Sequence, residues 1–120
     1  MWKVETAAID VNLIRLQNTA IFNARNDKYF ELPIYGELKG LLSASFAKTA
    51  PYYVDKTTVE NGKLRVYVKF KGSVHSLPKS SEYSLNVEMR GGGKFDFLVT
   101  ETIKVKCESK PERSLKISVR

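Results

Sequence analysis

The chain carries one cysteine and one histidine in 120 residues. With Cys107 alone, an intrachain disulfide framework and an all-cysteine metal site are both excluded, and the thiol is expected to act as a small apolar residue. His75 has no ligand-spaced partner, and Asp10, Asp27, Glu31, Glu37, Asp55, Glu60 and Asp96 form no recognisable carboxylate pair. Without a local nucleophile, base or metal motif, neither enzymatic activity nor a cofactor or metal is expected. No apolar run reaches bilayer-spanning length, and the opening MWKVETAAIDVNLIRL lacks the basic flank, apolar core and cleavage site of a secretory signal. The expectation is therefore no membrane partner and a cytoplasmic or virion-associated location. The four prolines and an apolar fraction of 42% argue against wholesale disorder, and the length suits one core, so residues 1–120 read as a single compact domain.

What the chain has in excess is positive charge, and all of the excess is in one half. Residues 1–60 hold seven Lys/Arg and seven Asp/Glu, whereas residues 61–120 hold thirteen and six. Such an asymmetry favours an anionic partner if the fold gathers the charges.

Hydrophobic periodicity predicts mostly strands. Ile9, Val11 and Leu13 alternate, and interior Asp and Asn residues disfavour one long helix, so 3–24 reads as strand-rich. ARNDK at 24–28 predicts a turn leading into YFEL at 29–32 as a hairpin, with Pro33 marking the second strand as non-central. ELKGLLSASFAK at 37–48 places Leu38, Leu41, Leu42, Ser45 and Phe46 on one helical flank, which predicts one short helix covering a sheet. From residue 52 the period is two. Asn61-Gly62 predicts a tight hairpin, after which Leu64, Val66, Val68 and Phe70 face inward while Arg65, Tyr67, Lys69 and Lys71 face outward. Tyr83, Leu85, Val87 and Met89 form the next inward set. Phe95, Phe97 and Val99 follow, then Ile103, Val105 and Cys107, with Glu101 marking an edge, bulge or polar interruption. A last strand is expected with Leu115, Ile117 and Val119 inward. The predicted fold is mainly β, a small antiparallel barrel or sandwich-like domain with one short helix.

MRGGGKFDF at 89–97 raises the prospect of a phosphate-cradling loop between Arg90 and Lys94. A phosphate loop of the Walker type needs its longer glycine spacing and a hydroxyl after the lysine, and GGGKF has neither. Hairpin reversal is the better reading, with Arg90 and Lys94 at its rim.

Arg65, Lys69 and Lys71 on one strand, Lys104 and Lys106 on a second, and Lys116 and Arg120 on a third form one phosphate-binding surface if those strands are neighbours. Tyr67 then supplies a ring for stacking on an unpaired base. No basic recognition helix is evident, which favours RNA or single-stranded DNA over duplex reading.

ELPIYGELKGLLSASF at 31–46, with Pro33, Gly36, Lys39, Gly40, Leu41 and Leu42, and MRGGGKF as a later glycine-rich loop, resembles the helix-leading segment of repeat-associated RNA-processing proteins. The resemblance covers under one fifth of the chain. It implies an alternative α+β ferredoxin-like fold that binds RNA.

The leading functional expectation is noncatalytic RNA or single-stranded DNA binding. The alternative is a structural or interaction protein that forms a homo-oligomer, capsid, filament or larger complex with protein partners through strand edges and exposed aromatics.

Overall fold

The structure, a computed structural model, describes residues 14–91 and 97–110. The strand expected at 115–119, with Lys116 and Arg120, and the segment 92–96, with Lys94 and Phe95, lie outside the described residues, as do residues 3–13 of the 3–24 segment.

The described residues form eight strands: β1 (Arg15–Leu16), β2 (Thr19–Asn23), β3 (Tyr29–Tyr35), β4 (Leu38–Phe46), β5 (Tyr52–Glu60), β6 (Lys63–Phe70), β7 (Ser81–Gly91) and β8 (Phe97–Glu108). They build two four-stranded sheets, ordered β1-β3-β6-β5 and β2-β8-β7-β4. All pairings are antiparallel except β2 with β8, which is parallel. The chain crosses from the first sheet to the second between β1 and β2, over Gln17 and Asn18. The architecture is the expected mainly β sandwich, and it excludes the ferredoxin-like alternative.

Alternation built the sheets where it was strict. In β6, Leu64, Val66 and Val68 are buried, whereas Arg65 and Tyr67 are half-buried and Lys69 is exposed on the other face. In β7, Leu85, Val87 and Met89 are buried, and in β8 so are Ile103, Val105 and Cys107. Each such side chain contributes about 1.5–3 kcal/mol when removed from water. β8 pairs with β7 in unbroken register through Glu101, which lies opposite Val87, so Glu101 neither bulges nor ends the strand. Phe22 and Tyr52 join the sheets at one end of the core, with ring centroids 6.4 Å apart edge to face.

The Asn61-Gly62 turn forms as expected. Both residues have positive φ, 51° and 74°, the two-residue geometry whose twist matches that of the flanking strands.

Three expectations are corrected, the first being that the strand with Pro33 is non-central, since β3 lies between β1 and β6 in its sheet. The short helix at 37–48 is the strand β4, paired with β7 from Leu38↔Gly91 to Phe46↔Leu85. Its helical appearance has a physical cause. Register shifts between Leu38 and Gly40 and between Leu41 and Ser43 reset the inward parity, so Leu38, Leu41, Ala44 and Phe46 face the core at spacings of about three. Leu42, assigned to the same flank, is 51% exposed. Among the described residues the only helical element is a 3-10 turn at Val74–Ser76, where the Ser73 hydroxyl accepts from the His75 amide.

The turn at 24–28 reverses the chain, but β2 and β3 enter opposite sheets and make no hairpin. Asn23 fixes this turn: its side-chain oxygen accepts from the Arg25 amide at 3.1 Å, and its amide donates to the Asp27 carboxylate at 2.9 Å. The Asn23 and Asn26 side-chain amides both donate to the Lys110 carbonyl, tying the turn to the end of β8.

Candidate nucleic-acid interface

The outer face of the β1-β3-β6-β5 sheet is set by two registers. β6 places Lys63, Arg65, Tyr67 and Lys69 outward. β3 lays Pro33, Glu31 and Tyr29 beside the first three, and β5 lays Glu60, Thr58, Lys56 and Tyr53 along the other side. β1 adds Arg15 opposite Tyr35. The face therefore mixes three tyrosines, Tyr29, Tyr53 and Tyr67, with cations and the carboxylates of Glu31 and Glu60.

Its centre is a cluster of tilted rings and the cations over them. The rings of Tyr29 and Tyr67 lie 5.0 Å apart between centroids, Lys56 Nζ sits 4.7 Å over Tyr67, and the Arg65 guanidinium sits 4.3 Å over Tyr29. Cation–π contacts of this kind contribute about 0.5–1 kcal/mol at exposed positions. Arg65 is also drawn into an acidic pair. Its Nη2 lies 2.9 Å from Glu31 Oε2 and its Nη1 lies 3.7 Å from Glu60 Oε1, while Lys63 stands 3.8 Å from Glu31. The hydrogen bond to Glu31, followed by contact with Tyr67, raises the guanidinium pKa above its already high ordinary value. Arg15, Lys56 and Lys69 make no ion pair among the described residues, so they are the charges on this face most available to a phosphate.

Tyr67 and Val68 line a shallow depression of about 480 Å³ with Asp27, Lys28, Asp55, Lys56 and Lys69. Asp55 reaches its rim because β5 shifts register between Val54 and Lys56 and leaves Asp55 as the extra residue.

The other expected site residues do not join this face. Lys71 follows β6, and its Nζ donates to the Lys48 carbonyl at 3.0 Å. Arg90, Lys104 and Lys106 lie on the outer face of the second sheet, opposite Leu98, Ser84 and Glu82. Because β6 and β8 belong to different sheets, the basic sets on these two strands point away from each other. Lys104 and Lys106 line a separate cavity of about 870 Å³ between β2 and β3. Lys94, Lys116 and Arg120 lie outside the described residues.

Sequence reasoning missed Lys56 and Glu31 as members of the site. Lys56 was findable, because a two-residue turn at Asn61-Gly62 fixes Glu60↔Lys63, Thr58↔Arg65 and Lys56↔Tyr67 in turn. No sequence signal placed β3 on the other side of β6.

Among the described residues, no group of three or more His, Cys, Asp or Glu is placed to hold a metal ion, and no helix is long and apolar enough to cross a membrane. His75 is exposed and Cys107 is buried. No protein-family model matches the chain, and no curated protein matches it in sequence.

Proposed function

We propose that the protein is a noncatalytic binding module for RNA or single-stranded DNA, and that the outer face around β6 is its contact surface. The observation that carries this reading is the Tyr29–Tyr67 pair, with Lys56 over the second ring and the exposed Lys69 and Tyr53 paired one row further on. Base stacking on an aromatic ring contributes about 1–3 kcal/mol per base, and lysines beside the ring hold the adjacent phosphates. A flat sheet face suits an unpaired strand, whose bases can splay onto it.

The test is fluorescence anisotropy with labelled single-stranded RNA, single-stranded DNA and duplex oligonucleotides over a range of salt concentrations. Salt-sensitive binding that favours single strands and is lost in Lys56→Gln/Tyr67→Ala/Lys69→Gln supports the reading. No binding by the folded protein at low salt rejects it.

A second reading, assembly with other protein chains, is favoured by one observation. Among the described residues, strands β2 and β3 each leave part of one backbone edge unpaired beside the larger cavity. Light scattering over a wide concentration range tests self-assembly, and a strict monomer removes that form of it.

A further inference from the structure

The sandwich has a seam where the chain crosses between its sheets. Val68 N–H of β6 donates to the carbonyl of Lys28, just before β3, and Ile34 N–H of β3 donates to the Gly62 carbonyl, so even-numbered residues of β3 turn their main-chain groups toward β6. Odd-numbered residues turn the other way, as the bond from Gln17 N–H to the Pro33 carbonyl confirms. On that side β1 covers only Ile34 and Tyr35. The main-chain N–H and C=O of Tyr29 and Glu31 therefore face away from β6 with no strand hydrogen-bonded to them among the described residues.

β2 is open in the same sense. Lys104 N–H donates to the Asn18 carbonyl and Ala24 N–H donates to the Glu108 carbonyl, which sets even-numbered residues toward β8. Thr19 and Ile21 turn their amides away from it, and the Ile21 side chain is 61% exposed. Both edges border the cavity of about 870 Å³, which Thr19, Ala20, Ile21, Tyr29, Phe30 and Glu31 help to line.

The remaining sheet edges differ. β4 has two register shifts and β5 has one, and such bulges blunt an edge against pairing. The β2–β8 and β3–β6 ladders run without any. Pro33, which has no N–H, closes one end of the β3 edge.

The geometry points to β-strand addition in this seam, with an extended acidic segment of a partner protein as the occupant. The charges select the acidic class. Lys28 and Lys104 on the cavity wall have no ion-pair partner among the described residues. Two of the three wall carboxylates are already held: Glu31 pairs with Arg65, and Asp27 accepts from the Asn23 amide. Glu82 stands opposite Lys106, whose Nζ lies 3.6 Å from Glu108, a carboxylate it shares with Lys110. Alternate acidic side chains of the incoming strand lie on the face of Thr19 and Ile21, toward Lys104 and Lys106, and the residues between them lie on the face of Ala20 and Phe30, with Lys28 just before the start of β3. This inference stands apart from the nucleic-acid reading. It rests on the assembly reading only in its use of a strand edge, and it survives a strictly monomeric result, because a foreign strand needs no second copy.

Three acetylated heptapeptides serve as probes against the full chain: alternating Glu and Val, alternating Lys and Val, and the Glu peptide with its valines N-methylated. Hydrogen exchange followed by NMR reads the amides of Thr19, Ile21, Tyr29 and Glu31. With the Glu peptide these four amides slow by about ten-fold or more, as added ladder bonds require, and the Lys and N-methylated peptides bind at least about ten-fold more weakly. Lys104→Gln/Lys106→Gln weakens the Glu peptide alone, and the peptide charge swap on the unaltered protein makes the same test should that variant not fold. The inference is overturned if the Glu peptide at millimolar concentration leaves these amides unprotected. It is overturned equally by protection that falls on β4 or β5, or by Lys or N-methylated peptides that bind as tightly.

Discussion

Arg65 donates to a single oxygen of Glu31 from two nitrogens, Nε at 3.2 Å and Nη2 at 2.9 Å, while its guanidinium lies over the ring of Tyr29. The most central cation of the outer face is thereby neutralised by its neighbour on β3. Glu31→Gln removes that competitor and leaves the ring contact in place. Single-stranded oligonucleotides are expected to bind this variant more tightly at low salt, with the salt slope steeper by about 0.7, the increment of one added phosphate contact on a single strand. Because the pair is partly exposed, stability should change by no more than about 1 kcal/mol, read from a denaturant midpoint.

Tyr67 separates stacking from charge. Tyr67→Ala is expected to weaken single-strand binding by about 1–3 kcal/mol with little change in salt slope, whereas Tyr67→Phe keeps the ring and most of the affinity. Lys56→Gln and Lys69→Gln should each lower the slope instead. Anisotropy titrations at several salt concentrations distinguish the two patterns, and equal loss in the Phe and Ala variants would remove stacking from the account.

Gly91 and Gly40 make a matched pair of strand glycines. A Cβ built on Gly91 runs into the Glu37 carbonyl and touches Ile14, while one on Gly40 meets nothing within 4 Å. Gly91→Ala is therefore expected to destabilise the protein by about 1–3 kcal/mol, since the obstacle is backbone. Gly40→Ala should stay within about 0.5 kcal/mol of the parent. Chemical denaturation followed by circular dichroism compares them directly.

High pH should unfold the protein through two core groups. Burial pushes the Cys107 thiol from 9.0 up to about 12. Burial, followed by the proximity of Cys107 and then Tyr83, pushes the Tyr52 phenol from 10.0 to about 12. In both, the folded state holds the proton more tightly than the unfolded chain. Their stabilising contribution is thus complete below the unfolded pKa and is lost as pH rises through the folded one. Denaturant midpoints should be insensitive to these groups below pH 9 and fall between about pH 9 and 12, with Cys107 alone accounting for on the order of 4 kcal/mol. Cys107→Ser, which carries no titrating thiol, should flatten part of that fall. At pH 8 the thiol should react with a disulfide reagent only after unfolding.

The two-residue period of β6, β7 and β8 was legible because a strand with one buried face repeats every second residue whatever its neighbours are. The same local rule placed Tyr67 and Lys69 on an outward face, and the Asn61-Gly62 turn carried enough information to set Lys56 opposite Tyr67. β4 was misread because its bulges reset the parity, and a bulge is decided by what the long strand β7 offers for pairing. That is a property of the partner strand and not of residues 38–46.

Sequence by itself determined which residues face inward along each regular strand, since alternation is a property of the backbone alone. Which strands share a sheet was decided only by tertiary structure, because sheet membership depends on long-range hydrogen bonds that no local pattern encodes. That decision divided the lysines of β6 from those of β8, gave Arg65 its carboxylate on β3, and turned the glycine Gly91 from a loop residue into one packed against the Glu37 backbone. It also left the seam between β2 and β3, which exists because a continuous chain must cross from one sheet to the other and cannot pair fully with both.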